Sequence, residues 1–216
     1  PGYAGADQVI WFVCNDLNSG RMFNLYGSPP MGMEMQVTFW GYKRTDALGY
    51  AVFKKYKLIY KGTAETPANA TIDSMFVAQF ADPDLGEYSD DFVGCDTTKS
   101  ISFCYNSSAI DASFRVFDLA PPASGYDFLQ GPLVPGVAGE DRNKNGVDDA
   151  EDSGIFDGKV KGPGFINLPM TAFNYFAAGS SISDPDREEY AGTEQWYNLM
   201  NGLTPRSAEP FQEADG

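Results

Sequence analysis

The sequence predicts an all-β fold: an antiparallel β-sandwich, jelly-roll-like, with a Gly/Pro-rich irregular C-terminal part and one short helix. Three observations carry this expectation. Apolar and polar side chains alternate with period two through residues 8–118, as they do in half-buried strands. Clusters rich in Gly and Pro, such as "YGSPPMG" and "TAETPANA", separate runs of similar length. Beyond residue 120 the alternation stops and prolines and glycines become dense. Short strands punctuated in this way point to antiparallel sheets.

In chain order, "QVIWFVC" (8–14) is the first predicted strand. In "MEMQVTFWGY" (33–42), Met33, Met35, Val37 and Phe39 share one face while Glu34, Gln36 and Thr38 lie on the other. In "FKKYKLIYKG" (53–62), Tyr56, Leu58 and Tyr60 oppose Lys55, Lys57 and Lys61, the pattern of a solvated face or a guarded edge. "IDSMFVAQF" (72–80), "SISFCY" (100–105) and "ASFRVFDL" (112–119) complete the strand set. Segment 121–190 is expected to be irregular; within it, 155–180 is apolar and aromatic without a clear period. "GTEQWYNLMNGL" reads as a helix within 191–203, with Thr193 as N-cap and Trp196, Leu199, Met200 and Leu203 on one face. Residues 204–216 read as a tail. The organisation is that of a single domain, 1–216, with a strand-rich core over 1–120. The opening "PGYAGADQ", which lacks Met, suggests a piece of a longer protein.

Charge narrows the partners. There are 30 acidic residues against 15 basic, a net charge of −15, which repels nucleic acid and anionic lipid. No run approaches the roughly 18 apolar residues that span a membrane. The chain has no histidine, which removes Ser-His-Asp and Cys-His nucleophile systems and imidazole zinc sites. Carboxylate-pair chemistry stays open. Cys95 and Cys104 are close enough in sequence to bridge across a hairpin, leaving Cys14 over; three buried free thiols are an equal alternative.

The densest chemistry lies in "GEDRNKNGVDDAEDSG" (139–154). Crowded carboxylates repel unless something neutralises them. Counting from Asp141, side-chain oxygens fall at positions 1 (Asp141), 3 (Asn143), 5 (Asn145), 9 (Asp149) and 12 (Asp152). Gly146 is at position 6, and Val147 offers its carbonyl at position 7. That is the twelve-residue calcium-loop pattern, with Asp in place of the bidentate Glu of EF-hands. The flanking residues cannot form EF-hand helices, so a lone Ca²⁺ loop is expected, resembling dockerin-type loops. Magnesium, which demands tight octahedral geometry, suits the pattern less. A second acidic cluster, "DPDLGEYSDD" (82–91), matches no defined loop and reads either as a turn or as another cation site.

"YKLIYKG", "TIDSMFVAQFADPDLGEYSDDFVGCDTTKSISFCYN", "PPASGYDFLQGPLVPG" and "MTAFNYF" followed by "EYAGTEQWYNLMNG" resemble, in this order, a domain of large secreted bacterial surface proteins that carry type IX secretion (por-type) sorting domains. The resemblance runs from about residue 8 to 203. It implies an extracellular, cell-surface location and no established catalytic residues. It also makes the Asp-Ser/Thr patterns at 73–75 and 96–98 candidate O-glycosylation points, while Asn69 and Asn106 fit the N-glycan acceptor pattern.

The expected function is a non-catalytic, calcium-binding structural or adhesion module whose partners are other surface-protein subunits or glycans. A homo-oligomer or filament stays open. The alternatives are a carbohydrate-binding module, on the strength of Trp11, Trp40, Trp196 and many tyrosines, and a carboxylate-pair glycoside hydrolase built on the 82–91 region.

Overall fold

A computed structural model describes residues 3–212 of the chain. Most of its regular structure lies in strands, and every strand pairing is antiparallel. The strands are grouped in four small sheets, of three, two, three and two strands. The chain divides into two compact units, Pro1–Met75 with Pro185–Trp196, and Phe76–Asp184 with Tyr197–Gly216.

The first unit is built on β1 (Gln8–Asn15), β2 (Met33–Gly41) and β3 (Val52–Tyr60), with β2 central. All three were legible in the sequence, but the faces of β2 and β3 differ from expectation. Tyr56 and Leu58 are exposed and Lys55 and Lys57 half-buried, while β2 buries Val37 on one face and Thr38 on the other. A central strand covered on both sides loses the clean apolar-in, polar-out division. Trp40 stacks on Tyr3 and on Phe53. Before β2, the Asp16 carboxylate accepts the backbone N–H groups of Met31, Gly32 and Met33 and fixes the entry to the strand.

Between β1 and β2 lies an unexpected helix, α1 (Ser19–Tyr26). Asn18 caps its start by accepting the Arg21 N–H, and Gly27, at φ 72°, ends it in the left-handed conformation. The C-terminus of α1 is held by residues 188–196. The Thr193 hydroxyl donates to the Tyr26 carbonyl, and Tyr26 meets Trp196 edge-on.

The second unit contains β4 (Asp91–Asp96), β5 (Ile101–Asn106) and β6 (Ala123–Asp127), with β5 central. The predicted strand at 112–119 is instead a single turn, α2 (Ala112–Arg115). Asp111, fully buried, accepts the N–H groups of Ser113, Phe114 and Glu87, and this cap overrides the apolar run that follows. The predicted strand at 72–80 does not form either. Ser74 has a left-handed φ of 52°, and Phe76 and Phe80 spend their apolar surface on ring contacts with Tyr197 and Phe176.

The segment expected to be irregular carries short paired strands. β7 (Leu133–Pro135) pairs with β10 (Phe165–Asn167), and β8 (Gly154–Phe156) pairs with β9 (Lys159–Lys161). Ile166, with no exposed surface, is the apolar anchor here. The C-terminal helix, α3 (Tyr190–Met200), starts earlier than predicted. Thr193 is therefore inside the helix and not its cap. The Gln195 amide, which exchanges hydrogen bonds with the Asp186 N–H and carboxylate, secures the first turn instead. The tail beyond Met200 turns back, bridging Leu203 to Pro210; its last residues, 213–216, lie outside the described part. Among the described residues no helix is long and apolar enough to cross a membrane. All three thiols are free: Cys14 exposed, Cys95 half-buried and Cys104 buried.

Candidate metal centre

The acidic loop leaves β7 at Gly136 and returns to β8 at Gly154. Its base is tied to the β7–β10 pair: the Gly136 N–H donates to the Gly164 carbonyl and the Gly164 N–H to the Asp152 carbonyl, both at 2.9 Å. The Asp149 N–H closes the loop on the Glu140 carbonyl at 2.8 Å. Asp148, at a position outside the ligand pattern, caps two turns by accepting from Gly139 and Ala150.

Four of the six predicted ligand residues are brought together. Asp141 accepts the Asn145 N–H at 3.0 Å and the Gly146 N–H at 2.9 Å. The Asn143 and Asn145 side-chain amides both donate to one oxygen of Asp152, each at 2.8 Å. Gly146 has a φ of 86° with nothing near the position of a Cβ, so the reversal there needs glycine for its backbone and not for space. The Asn145 Oδ1 accepts the Val147 N–H, which orients the Val147 peptide. Donation from the Asn143 amide, the largest cause, then from the Ser153 N–H and last from the Asn145 amide, holds the Asp152 carboxyl below its usual range against the opposing effect of burial.

Asp149 is placed differently. It is 0% exposed, and its two oxygens accept the Arg142 N–H at 3.0 Å and the Arg142 Nε at 2.6 Å. Arg142 also donates to the Pro135 carbonyl, so the pair latches the loop to the end of β7. Burial alone would raise the Asp149 carboxyl; the Arg142 hydrogen bonds outweigh it and the net direction is downward. A carboxylate with both oxygens so engaged serves as an anchor and could reach a cation only through water, as position 9 often does. The sequence reading missed Arg142 because it stands at a non-ligand position.

The remaining oxygens still suit calcium. Asp141, Asn143, Asn145 and the Val147 carbonyl give one each and Asp152 two, the lower end of the six to eight that Ca²⁺ takes. To present Oδ1, both asparagine amides must turn away from their present bonds to Asp152. Among the described residues no three Asp, Glu or Cys side chains gather into a metal cage, so such a site leans on amide and backbone oxygens.

Elsewhere, a shallow hollow of about 410 Å³ lined by Ala109, Ile110, Arg115, Asp118, Leu119 and Ala120 holds one carboxylate. In the 82–91 segment, Glu87 accepts from Ser89, and Asp91 accepts the Leu85 N–H. Asn106, read from sequence as a glycan acceptor, is buried and its amide donates to the Ser108 carbonyl, which does not suit that role. Compared with known proteins, the chain matches no family model, no curated protein and no solved structure.

Proposed function

We propose that the chain is a non-catalytic, extracellular module of a bacterial cell-surface protein, in which Ca²⁺ bound by residues 141–152 rigidifies a structural or adhesive unit. The observation that carries this reading is the convergence of Asp141, Asn143, Asn145 and Asp152 around the Gly146 reversal, on a loop latched by Arg142 and Asp149. The cation would neutralise Asp141 and Asp152 and hold the segment between β7 and β8 in one conformation. Its partners would be neighbouring surface-protein subunits or glycans.

The carbohydrate-binding alternative has weaker support. Trp40 stacks on Tyr3 and Phe53, and Trp196 meets Tyr26, so two of the three tryptophans are engaged within the chain; Trp11 is the more exposed one.

Isothermal titration with calcium tests the proposal. The expected result is saturable binding that Asp141→Ala abolishes at the loop and Lys144→Ala, outside the ligand set, leaves intact. Binding that ignores Asp141→Ala would remove the loop from the account.

A further inference from the structure

We propose a second calcium site, formed by Asp90, Asp91 and Asn106 where β4 meets the end of β5. Asp91 opens β4 and stands directly opposite Asn106 in the strand register, so their side chains share one face. Asp90 adjoins Asp91 in the chain and is held to Ser107, the neighbour of Asn106: its carbonyl accepts the Ser107 N–H at 2.9 Å and its Oδ2 accepts the Ser107 hydroxyl at 3.3 Å.

Each residue uses one side of its polar group and leaves the other bare. Asn106 is 8% exposed, and its Nδ2 donates to the Ser108 carbonyl at 3.0 Å, which fixes the amide and aims Oδ1 the other way. Asp91 spends Oδ2 on the Leu85 N–H at 3.0 Å. The three remaining atoms, Asp90 Oδ1, Asp91 Oδ1 and Asn106 Oδ1, are all shielded from solvent, and none has a hydrogen-bond partner within the chain.

Buried acceptors without donors are rare in folded chains, because each forfeits its hydration without recompense. One such atom calls for a water. Three such acceptors on residues that adjoin in the chain and across the ladder, two on carboxylates and neither paired with Lys or Arg among the described residues, call for positive charge. The donor set is oxygen only, carboxylate and amide mixed, which selects a hard cation over zinc or copper. Calcium accepts such mixed, irregular oxygen sets, whereas Mg²⁺ demands near-ideal octahedral geometry. Backbone carbonyls and water would complete the shell. This site is independent of the 141–152 loop.

Flow dialysis with radiolabelled Ca²⁺ on the whole chain, in wild type and in Asp90→Asn, Asp91→Asn, Asp141→Ala and Asp141→Ala/Asp90→Asn, tests it. The expected outcome is two sites in wild type, with Asp90→Asn or Asp91→Asn weakening one at least tenfold while Asp141→Ala removes the other. If the loop reading alone fails, wild type binds one Ca²⁺ that survives Asp141→Ala and is lost in Asp90→Asn. A single site lost in Asp141→Ala and untouched by both asparagine variants overturns the proposal, leaving the bare oxygens to water. Melting gives a second readout that a structural role would not move in this way. Asp90→Asn removes one of two crowded charges, so in EGTA it should melt at or above wild type, and in calcium below it. A variant that melts below wild type by the same amount in both conditions also overturns the proposal.

Discussion

Calcium removal should lower the melting temperature of the unit that contains the loop, and its size can be worked out. A ligand that binds only the folded form stabilises it by RT ln(1 + [L]/Kd), about 2.7 kcal/mol at a hundredfold excess. With an affinity on the order of 10⁻⁴ M, suited to extracellular modules, roughly 10 mM calcium supplies that excess. At about 2–4 °C per kcal/mol for a chain of this size, the shift is roughly 5–11 °C. It should be local as well. The loop is coupled to β7 and β10 through the Gly136, Asp152 and Gly164 backbone bonds, so amides at 145–152 and 164–167 should gain hydrogen-exchange protection on calcium addition. Those of β1 to β3 should not. Calorimetry in EGTA and in calcium, followed by exchange mass spectrometry, measures both. A melting temperature within about 1 °C in the two buffers, a shift worth roughly 0.3 kcal/mol, would show the loop to be an ordinary acidic turn.

Further outcomes follow from packing and charge. Ile166→Ala empties the fully buried position under the loop and should cost about 2–5 kcal/mol in a denaturant titration; a loss below about 1 kcal/mol would mean the site collapses to fill the space. Gly27→Ala places a Cβ 2.1 Å from the Glu189 backbone at a φ of 72°, so it should destabilise the first unit by at least about 2 kcal/mol, with the β1–β3 amides losing exchange protection. Asp96, held down to about 2 chiefly by the Lys99 ammonium and then by the Thr98 hydroxyl, joins Asp111, Asp149 and Asp152 in having a folded-state pKa below its ordinary value. Such groups add stability that is present above the unfolded-state pKa near 4 and is lost as pH falls through the folded-state values. Melting temperature should therefore be flat from about pH 7 to 5 and drop below about pH 4; a decline beginning near pH 6 would contradict this assignment.

The strands that were legible in the sequence are those whose partners lie nearby in the chain and whose residues form an alternating or continuous apolar run between turn clusters, namely β1, β2, β3 and β5. In two of the errors the local backbone departs from an extended path inside an apolar run. Asp111 capped α2 inside "ASFRVFDL", and Ser74 in a left-handed conformation broke "IDSMFVAQF". Helix α1 left a readable signature, Asn18 before it and Gly27 after it, but its apolar residues are too few to announce a period. β4 was hidden because its first residue, Asp91, belongs to a run of acids that reads as a turn.

At the loop, spacing identified which oxygens could converge, because a ligand pattern is a statement about backbone geometry around one glycine. It could not identify which carboxylate the protein itself would claim. Asp149 fits position 9 by type, yet Arg142, seven residues earlier in the chain, takes both its oxygens once the loop folds back on Glu140. The consequence is a division of labour in a short stretch: Arg142 and Asp149 fix where the loop sits, while Asp141, Asn143, Asn145 and Asp152 remain able to answer a cation. That division makes a sharp test. Asp149→Asn should disturb the calcium-free fold, since it strips the charge that Arg142 pairs with inside the protein. Asp152→Asn should disturb the calcium-free fold less than Asp149→Asn does and abolish the calcium-dependent shift. If the two variants exchange these behaviours, with Asp152→Asn unfolding the loop and Asp149→Asn only losing calcium, then the latch and the ligands have been assigned the wrong way round.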